Sequence, residues 1–248
     1  MLKTKGFFMT VALAGAALAS PAMAGDSNGN FQIKAGVTWA DFDNKTNSLT
    51  LNGADISALG SAKVENTWVP TATLTYYLNK NLAVELFCCA AGTSIVGKGP
   101  VLGGLGELAH TYVFPPVLTL QYHFDGMGPF RPYVGVGAEW IHFFPKTGSN
   151  GLGGLGLAAN DVKIKDVFGF ALQAGIDYDL GGGWSLGVDV KKIWANDAKV
   201  TFEGVGGVPG SNIVAKHQID PLYVTANVGY RFNLCDILGG CGGGAPLK

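Results

Sequence analysis

Residues 167–178 read Val-Phe-Gly-Phe-Ala-Leu-Gln-Ala-Gly-Ile-Asp-Tyr. Phe168, Phe170, Leu172, Ala174, Ile176 and Tyr178 fall on one side of an extended chain, and Gly169, Ala171, Gln173, Gly175 and Asp177 fall on the other. Successive side chains of a strand point to opposite faces. One face is therefore bulky and apolar, the other small and polar. A helix would group its large apolar residues at alternating spacings of three and four, whereas here they recur at every second residue.

The same period of two recurs on either side, in residues 31–42, 68–78, 82–91, 117–124, 131–143, 184–192 and 222–232, which makes eight runs in all. Each has about the length of a tilted membrane-crossing strand, roughly 9–11 residues. The connections alternate in length. Residues 79–81, 125–129 and 181–183 are short, whereas 43–67, 92–116, 144–166 and 193–221 are long. Strict alternation beginning with a long connection is the pattern of a bacterial outer-membrane barrel with both ends in the periplasm. The chain reads as all-β: an eight-stranded antiparallel transmembrane β-barrel with four long extracellular loops and short periplasmic turns.

A soluble barrel of eight strands would turn its apolar face inward. Here the face carrying Trp, Leu, Val, Phe and Tyr is too bulky for so narrow an interior, while lipid sets no limit on volume. Aromatic placement agrees. Tyr76, Tyr122, Phe124, Tyr178, Trp184, Tyr230 and Phe232 lie near the short-turn ends, and Trp39, Trp68 and Trp140 lie toward the long-loop ends, as two interfacial girdles would.

Composition fits this reading. Charged residues make up 14%, against a usual share of about 25%. Lys3 and Lys5 precede an uncharged, mostly apolar run that ends in Ala22-Met23-Ala24. This is the pattern of a cleaved signal peptide over 1–24, its apolar run too short to span a bilayer. The expected organisation is a leader (1–24), a barrel (25–232) and a Gly-rich periplasmic tail (233–248). The formal net charge of −1, with no basic block, argues against nucleic acid as a partner.

The motifs carry little chemistry. Residues 151–156, Gly-Leu-Gly-Gly-Leu-Gly, match GxGxxG by letter but sit in a long loop without the βαβ context of a dinucleotide site. His110, His123, His142 and His217 lack metal-ligand spacing. No catalytic constellation stands out, so neither an enzyme nor a cofactor is expected. Cys88 and Cys89 are adjacent in a strand and read as small apolar fillers, and Cys235 and Cys241 are close enough in a flexible tail to form a disulfide in an oxidising compartment.

Glu85, Gln121, His123, Glu139, Gln173, Asp177, Asp189, Lys191 and Arg231 fall on the inward face. An interior salt-bridge network is the plain reading, a selective polar path the sharper one, and His123 is expected near Glu85 or Glu139. The long loops are unusually apolar, with Ile95, Val96, Leu102 and Leu105 in the second and Leu152, Leu155 and Leu157 in the third. They suit either a cap or a greasy vestibule. Pro115 and Pro116 open the fourth strand and donate no ladder hydrogen bond. They mark a weakened pairing between the third and fourth strands and a candidate sideways opening.

Residues 116–124, Pro-Val-Leu-Thr-Leu-Gln-Tyr-His-Phe, and 130–137, Phe-Arg-Pro-Tyr-Val-Gly-Val-Gly, resemble joined segments of the OmpW family. So do residues 81–86, Asn-Leu-Ala-Val-Glu-Leu, and the closing Tyr230-Arg231-Phe232. The resemblance covers nearly the whole chain after the leader. It implies a narrow, largely hydrophobic conduit for small apolar molecules; some members are linked to stress responses or serve as bacteriocin receptors. It also implies outer-membrane lipid, a small apolar solute and, during biogenesis, the barrel-assembly machinery as partners. That machinery reads a strand-terminal Phe in this family, whereas here Phe232 is followed by residues 233–248. A structural or receptor barrel with a closed lumen is the alternative.

Overall fold

A computed structural model describes residues 29–89, 91–145 and 161–233. The leader, the third-loop residues Leu152, Leu155 and Leu157, the GxGxxG match, and Cys235 and Cys241 lie outside the described residues. Fourteen strands follow one another: β1 (Phe31–Leu51), β2 (Ala54–Asp55), β3 (Ser61–Val64), β4 (Thr67–Tyr77), β5 (Leu82–Cys88), β6 (Ala91–Lys98), β7 (Glu107–Phe114), β8 (Val117–His123), β9 (Phe130–Pro145), β10 (Asp161–Ile164), β11 (Val167–Gly181), β12 (Trp184–Ala195), β13 (Ala198–Glu203) and β14 (Asn212–Phe232). Eight of them close a ring. β1 pairs β4, then β5, β8, β9, β11, β12 and β14 follow, and β14 returns to β1, every pair antiparallel. Closure leaves no exposed edge in the lower barrel, which any lipid-embedded sheet requires.

The lower turns are tight for local reasons. Asn79 Oδ1 accepts from the backbone N–H of Asn81 and of Leu82 (2.9 and 2.8 Å), which folds the β4–β5 turn back on itself. At the β11–β12 turn Gly182 and Gly183 take φ of 63° and 85°, values an L side chain resists.

At the upper end the four long connections carry further strands of their own. The β1–β14 ladder runs from Phe31↔Phe232 up to Leu51↔Ile213, with one irregularity between Thr46 and Ser48. β13 and β10 join β14 on one side, while β3, β6 and β7 build onto upper β9 on the other. The long connections thus continue the wall as sheet, with alternate residues still facing in.

Burial follows the two-residue period. Outside, Phe168, Leu118 and Val37 are 61, 54 and 50% exposed, which only lipid or a like apolar medium accommodates over a whole surface. Inside, Glu85, Ala171, Gln173 and Lys191 are buried. Aromatic rings pair along the lower rim, as in Phe31–Tyr76, Phe130–Tyr178 and Trp184–Tyr230. The upper rim carries Trp39–Trp68 and Phe170–Trp194; Trp194 had been placed in a long connection by sequence.

Candidate functional site: an apolar chamber above a bonded lumen

The inward residues of the lower ring meet in one network. Lys34 Nζ lies 2.7 Å from Asp177 Oδ2, and Lys191 Nζ lies 3.1 Å from Glu85 Oε1 and 2.5 Å from Asp189 Oδ1. Gln173 ties the charged groups together. Its Nε2 donates to Glu85 (2.8 Å) and Asp189 (2.6 Å), while its Oε1 accepts from Thr119 Oγ1 (2.7 Å) and Gln121 Nε2 (3.1 Å). Tyr133 donates to Asp189 at 2.9 Å. Its ring lies across Gly175, where a Cβ would come within 2.4 Å of it, so the small residue at 175 makes room for the crossing. Buried charges need partners; Lys34, Lys191, Glu85, Asp177 and Asp189 each have an opposite charge within 3.1 Å, although Asp177 Oδ1 is left without a hydrogen bond.

His123 bonds Gln121 (3.0 Å) rather than either glutamate, because its ring sits between Tyr77 and Tyr133 with centroids 5.1 and 4.9 Å away. Arg231 closes the bottom. Its guanidinium lies 3.7 Å from the Tyr77 ring centroid, and its Nε donates to Gly29 O at 2.8 Å. The void left beside it is about 20 Å³, space for about one water. Lys34, Tyr77 and Tyr133 also belong to this network, though none is among the nine candidates. All three stand at inward positions of the alternation, which was the available signal.

A septum lies above the network. Ala40, Phe87, Val117, Ala171, Ile193 and Tyr223 form a buried apolar layer. Phe87 stacks on Tyr223 (5.8 Å, 24°), and Lys191 Nζ lies 4.5 Å from the Phe87 ring centroid. Tyr223 donates to Glu139 Oε1 at 2.8 Å, whereas Glu139 Oε2 is buried without a hydrogen-bond partner. Glu139 therefore belongs to the septum and joins none of the ion pairs described here.

Over the septum the interior turns apolar. A cavity of about 110 Å³ is lined among others by Phe42, Leu49, Val64, Ile95, Leu102, Val113, Ile141, Phe143, Val200, Phe202, Ile213 and Ile219. Of the second-loop candidates, Ile95 and Leu102 line it, Leu105 packs behind the wall, and Val96 is not part of the lining. The few polar lining groups include Thr46 and His217, which bond each other at 3.1 Å. Burial pushes His217 below its ordinary value of 6.5, against an opposing pull from Asp197. Among the described residues no group of His, Cys, Asp and Glu is placed to hold a metal ion.

Among the described residues the ladders of the chamber wall break off around β5 and β6. The β4–β5 ladder ends upward at Ala72↔Cys88, and residues 67–71 of β4 pair, among the described residues, with β1 alone. Leu78 N donates to Leu82 O on the β5 side. Even-numbered β4 residues therefore aim their backbone groups at β5, and Pro70, one of them, has no N–H to offer. On the other flank the β5–β8 ladder ends at Phe87↔Val117 and resumes as β6–β7 at Ala91↔Val113, with Pro115 and Pro116 at the step. Thr67, Val69, Cys89, Thr93 and Pro115 all line the chamber, so both interruptions border it. Pro116 still accepts from Trp140 N at 3.1 Å, so its β9 side stays joined. Sequence reading marked only the second interruption and missed Pro70, a proline inside a strand.

Known proteins carry the same architecture. The OmpW family profile matches residues 27–232. Outer membrane protein W of Salmonella typhimurium is 32% identical over 73% of this chain and 80% of its own length. Outer membrane protein AlkL of Ectopseudomonas oleovorans is 30% identical over 82% and 93%. The crystal structure of OprG from Pseudomonas aeruginosa superposes with a TM-score of 0.74 at 27% identity, covering 86% of this chain and all of that one. These relatives are outer-membrane proteins, and OprG is an eight-stranded outer-membrane barrel. The chain belongs to the OmpW family and is an outer-membrane β-barrel.

Proposed function

We propose that the barrel passes small hydrophobic molecules across the outer membrane through the chamber of its outer half and releases them sideways into the bilayer. The observation that carries this reading is the contrast at the septum. An apolar chamber stands directly on a layer of packed rings, beneath which every route down crosses buried ion pairs. An apolar solute gains nothing by crossing desolvated charges, whereas transfer from chamber to lipid keeps it among apolar groups throughout. The interruptions beside Pro70 and at Pro115-Pro116 are the places where the wall parts at least cost, because few ladder hydrogen bonds have to break there.

Uptake of a labelled apolar compound, measured in cells with and without the protein, tests the reading. Equal uptake with the barrel correctly inserted would sink it. A lock sharpens the result. The ladder ends at Ala72↔Cys88, and one more step in register would bring Thr71 opposite Cys89, so Thr71→Cys is expected to form a bridge at the foot of the β4 interruption. Uptake should fall on oxidation and return with reductant. The alternative, a structural or receptor barrel with a closed lumen, is favoured by the dense ion pairing of the lower network; it requires uptake that neither variant nor deletion changes.

A further inference from the structure

The outward face of the upper sheet carries an arrangement that sheet pairing alone disfavours. β10, β13 and β14 lie side by side with Ile164, Val200 and Ala215 turned inward. Alternate residues face out. Lys165 N donates to Lys199 O at 3.1 Å, which sets Lys165 beside Lys199. Lys199 is the direct cross-strand partner of Lys216. Three ammonium groups therefore stand in one row over three neighbouring strands. Lys45, paired with Gln218, extends the row on β1.

Like charges placed directly opposite each other weaken a sheet. Among the described residues no carboxylate forms an ion pair with Lys165, Lys199 or Lys216, and the nearby acids are engaged elsewhere. Glu203 is held by Lys163 at 2.5 Å, and Asp197 accepts from Asn47 Nδ2 at 2.8 Å. The row also has a definite height. Lys165 comes three residues before the lipid-facing Phe168 on its chain, and Lys199 five after the lipid-facing Trp194. At roughly 2.5 Å of rise per residue in a strand tilted by about 40°, both stand about 8–13 Å above the upper aromatic rim, near the headgroups of the outer leaflet.

We propose that this lysine row binds the phosphate groups of outer-leaflet glycolipid, fixing a phosphorylated lipid against the β10–β13–β14 face. Ammonium groups on flexible stems suit phosphate oxygens as point charges. A lipid held at this face stands beside the barrel wall, whereas a free anion would gain no contact with the aromatic rim below.

The test uses the full barrel, refolded in detergent and titrated with a bisphosphorylated glycolipid, its dephosphorylated form, or inorganic phosphate, with bound ligand counted by native mass spectrometry. The K165Q/K199Q/K216Q variant should retain the phosphorylated lipid roughly tenfold or more weakly than the native barrel. A control with equal charge loss elsewhere, K63Q/K80Q/K98Q, should behave as native. The triple Lys→Arg variant should keep binding and separates loss of charge from loss of fold. Equal binding of the dephosphorylated lipid, equal weakening in the control, or inorganic phosphate binding as tightly as the lipid would each overturn the proposal.

Discussion

The two halves of this lumen share the same in-and-out alternation, the lower on eight ring strands and the upper on the continuations of some of them together with β3, β6, β7, β10 and β13, yet one is full and the other is hollow. Below the septum the inward residues are long and polar, and Gln173, Lys191 and Tyr133 reach across to occupy the axis. Above it they are apolar and branched, and Leu49, Val200 and Ile213 line the wall around a cavity. Polar groups in a narrow interior must meet partners or carry an unpaired charge, so they fill it. Apolar groups carry no such requirement, so a void among them persists without water. The difference in filling is a difference in hydrogen-bonding obligation.

Four perturbations press on that contrast, in falling order of expected effect. Lys191→Met leaves Glu85 and Asp189 without their shared cation and should destabilise the barrel by about 3–5 kcal/mol, read by urea unfolding in detergent. A change under 1 kcal/mol would mean that the lower lumen admits water and is not closed. Ala215→Trp fills the chamber instead, at about 1–3 kcal/mol of overpacking, and should abolish uptake while the barrel still folds. Uptake that persists would move the route elsewhere.

His217 gives the chamber a pH dependence. Its folded value lies below 6.5, so as pH falls the unfolded chain binds the extra proton first; the contribution is full above 6.5 and is lost between 6.5 and the lower folded value. Thermal unfolding should show this decline in the native barrel and a flatter profile in His217→Gln. The smallest effect belongs to Lys163→Ala, whose pair with Glu203 is largely exposed; a loss of about 0–1 kcal/mol is expected by the same unfolding measurement.

The membrane-embedded part was legible because lipid enforces the alternation along each crossing strand, with Lys192 among the few departures on the outward face. The outer half was less so. β1 runs on through Asp43, Lys45 and Asn47 to Leu51, where the outward residues meet water and the apolar–polar contrast fades. β14 kept a readable pattern in Ile213, Ala215, His217 and Ile219, but Pro221 suggested a break before the final strand. The strand passes through it because Pro221 falls between two ladders: β12 pairing ends at Leu222 and β13 pairing starts at His217. Odd-numbered β14 residues turn toward that side, as Arg231 N does in donating to Gly183 O, so the missing N–H of Pro221 falls in the gap. Lys34, Tyr77 and Tyr133 were placed on the inward face by their period alone, but which partners they meet depends on how eight strands stagger around the axis, and local sequence does not encode that.

The stack of Lys191, Phe87 and Tyr223 also has an electrical meaning. A charge held against the Phe87 ring, with Tyr223 stacked on that ring, makes the axis costly for a hydrated ion, so the purified barrel is expected to show little ionic conductance in a planar bilayer.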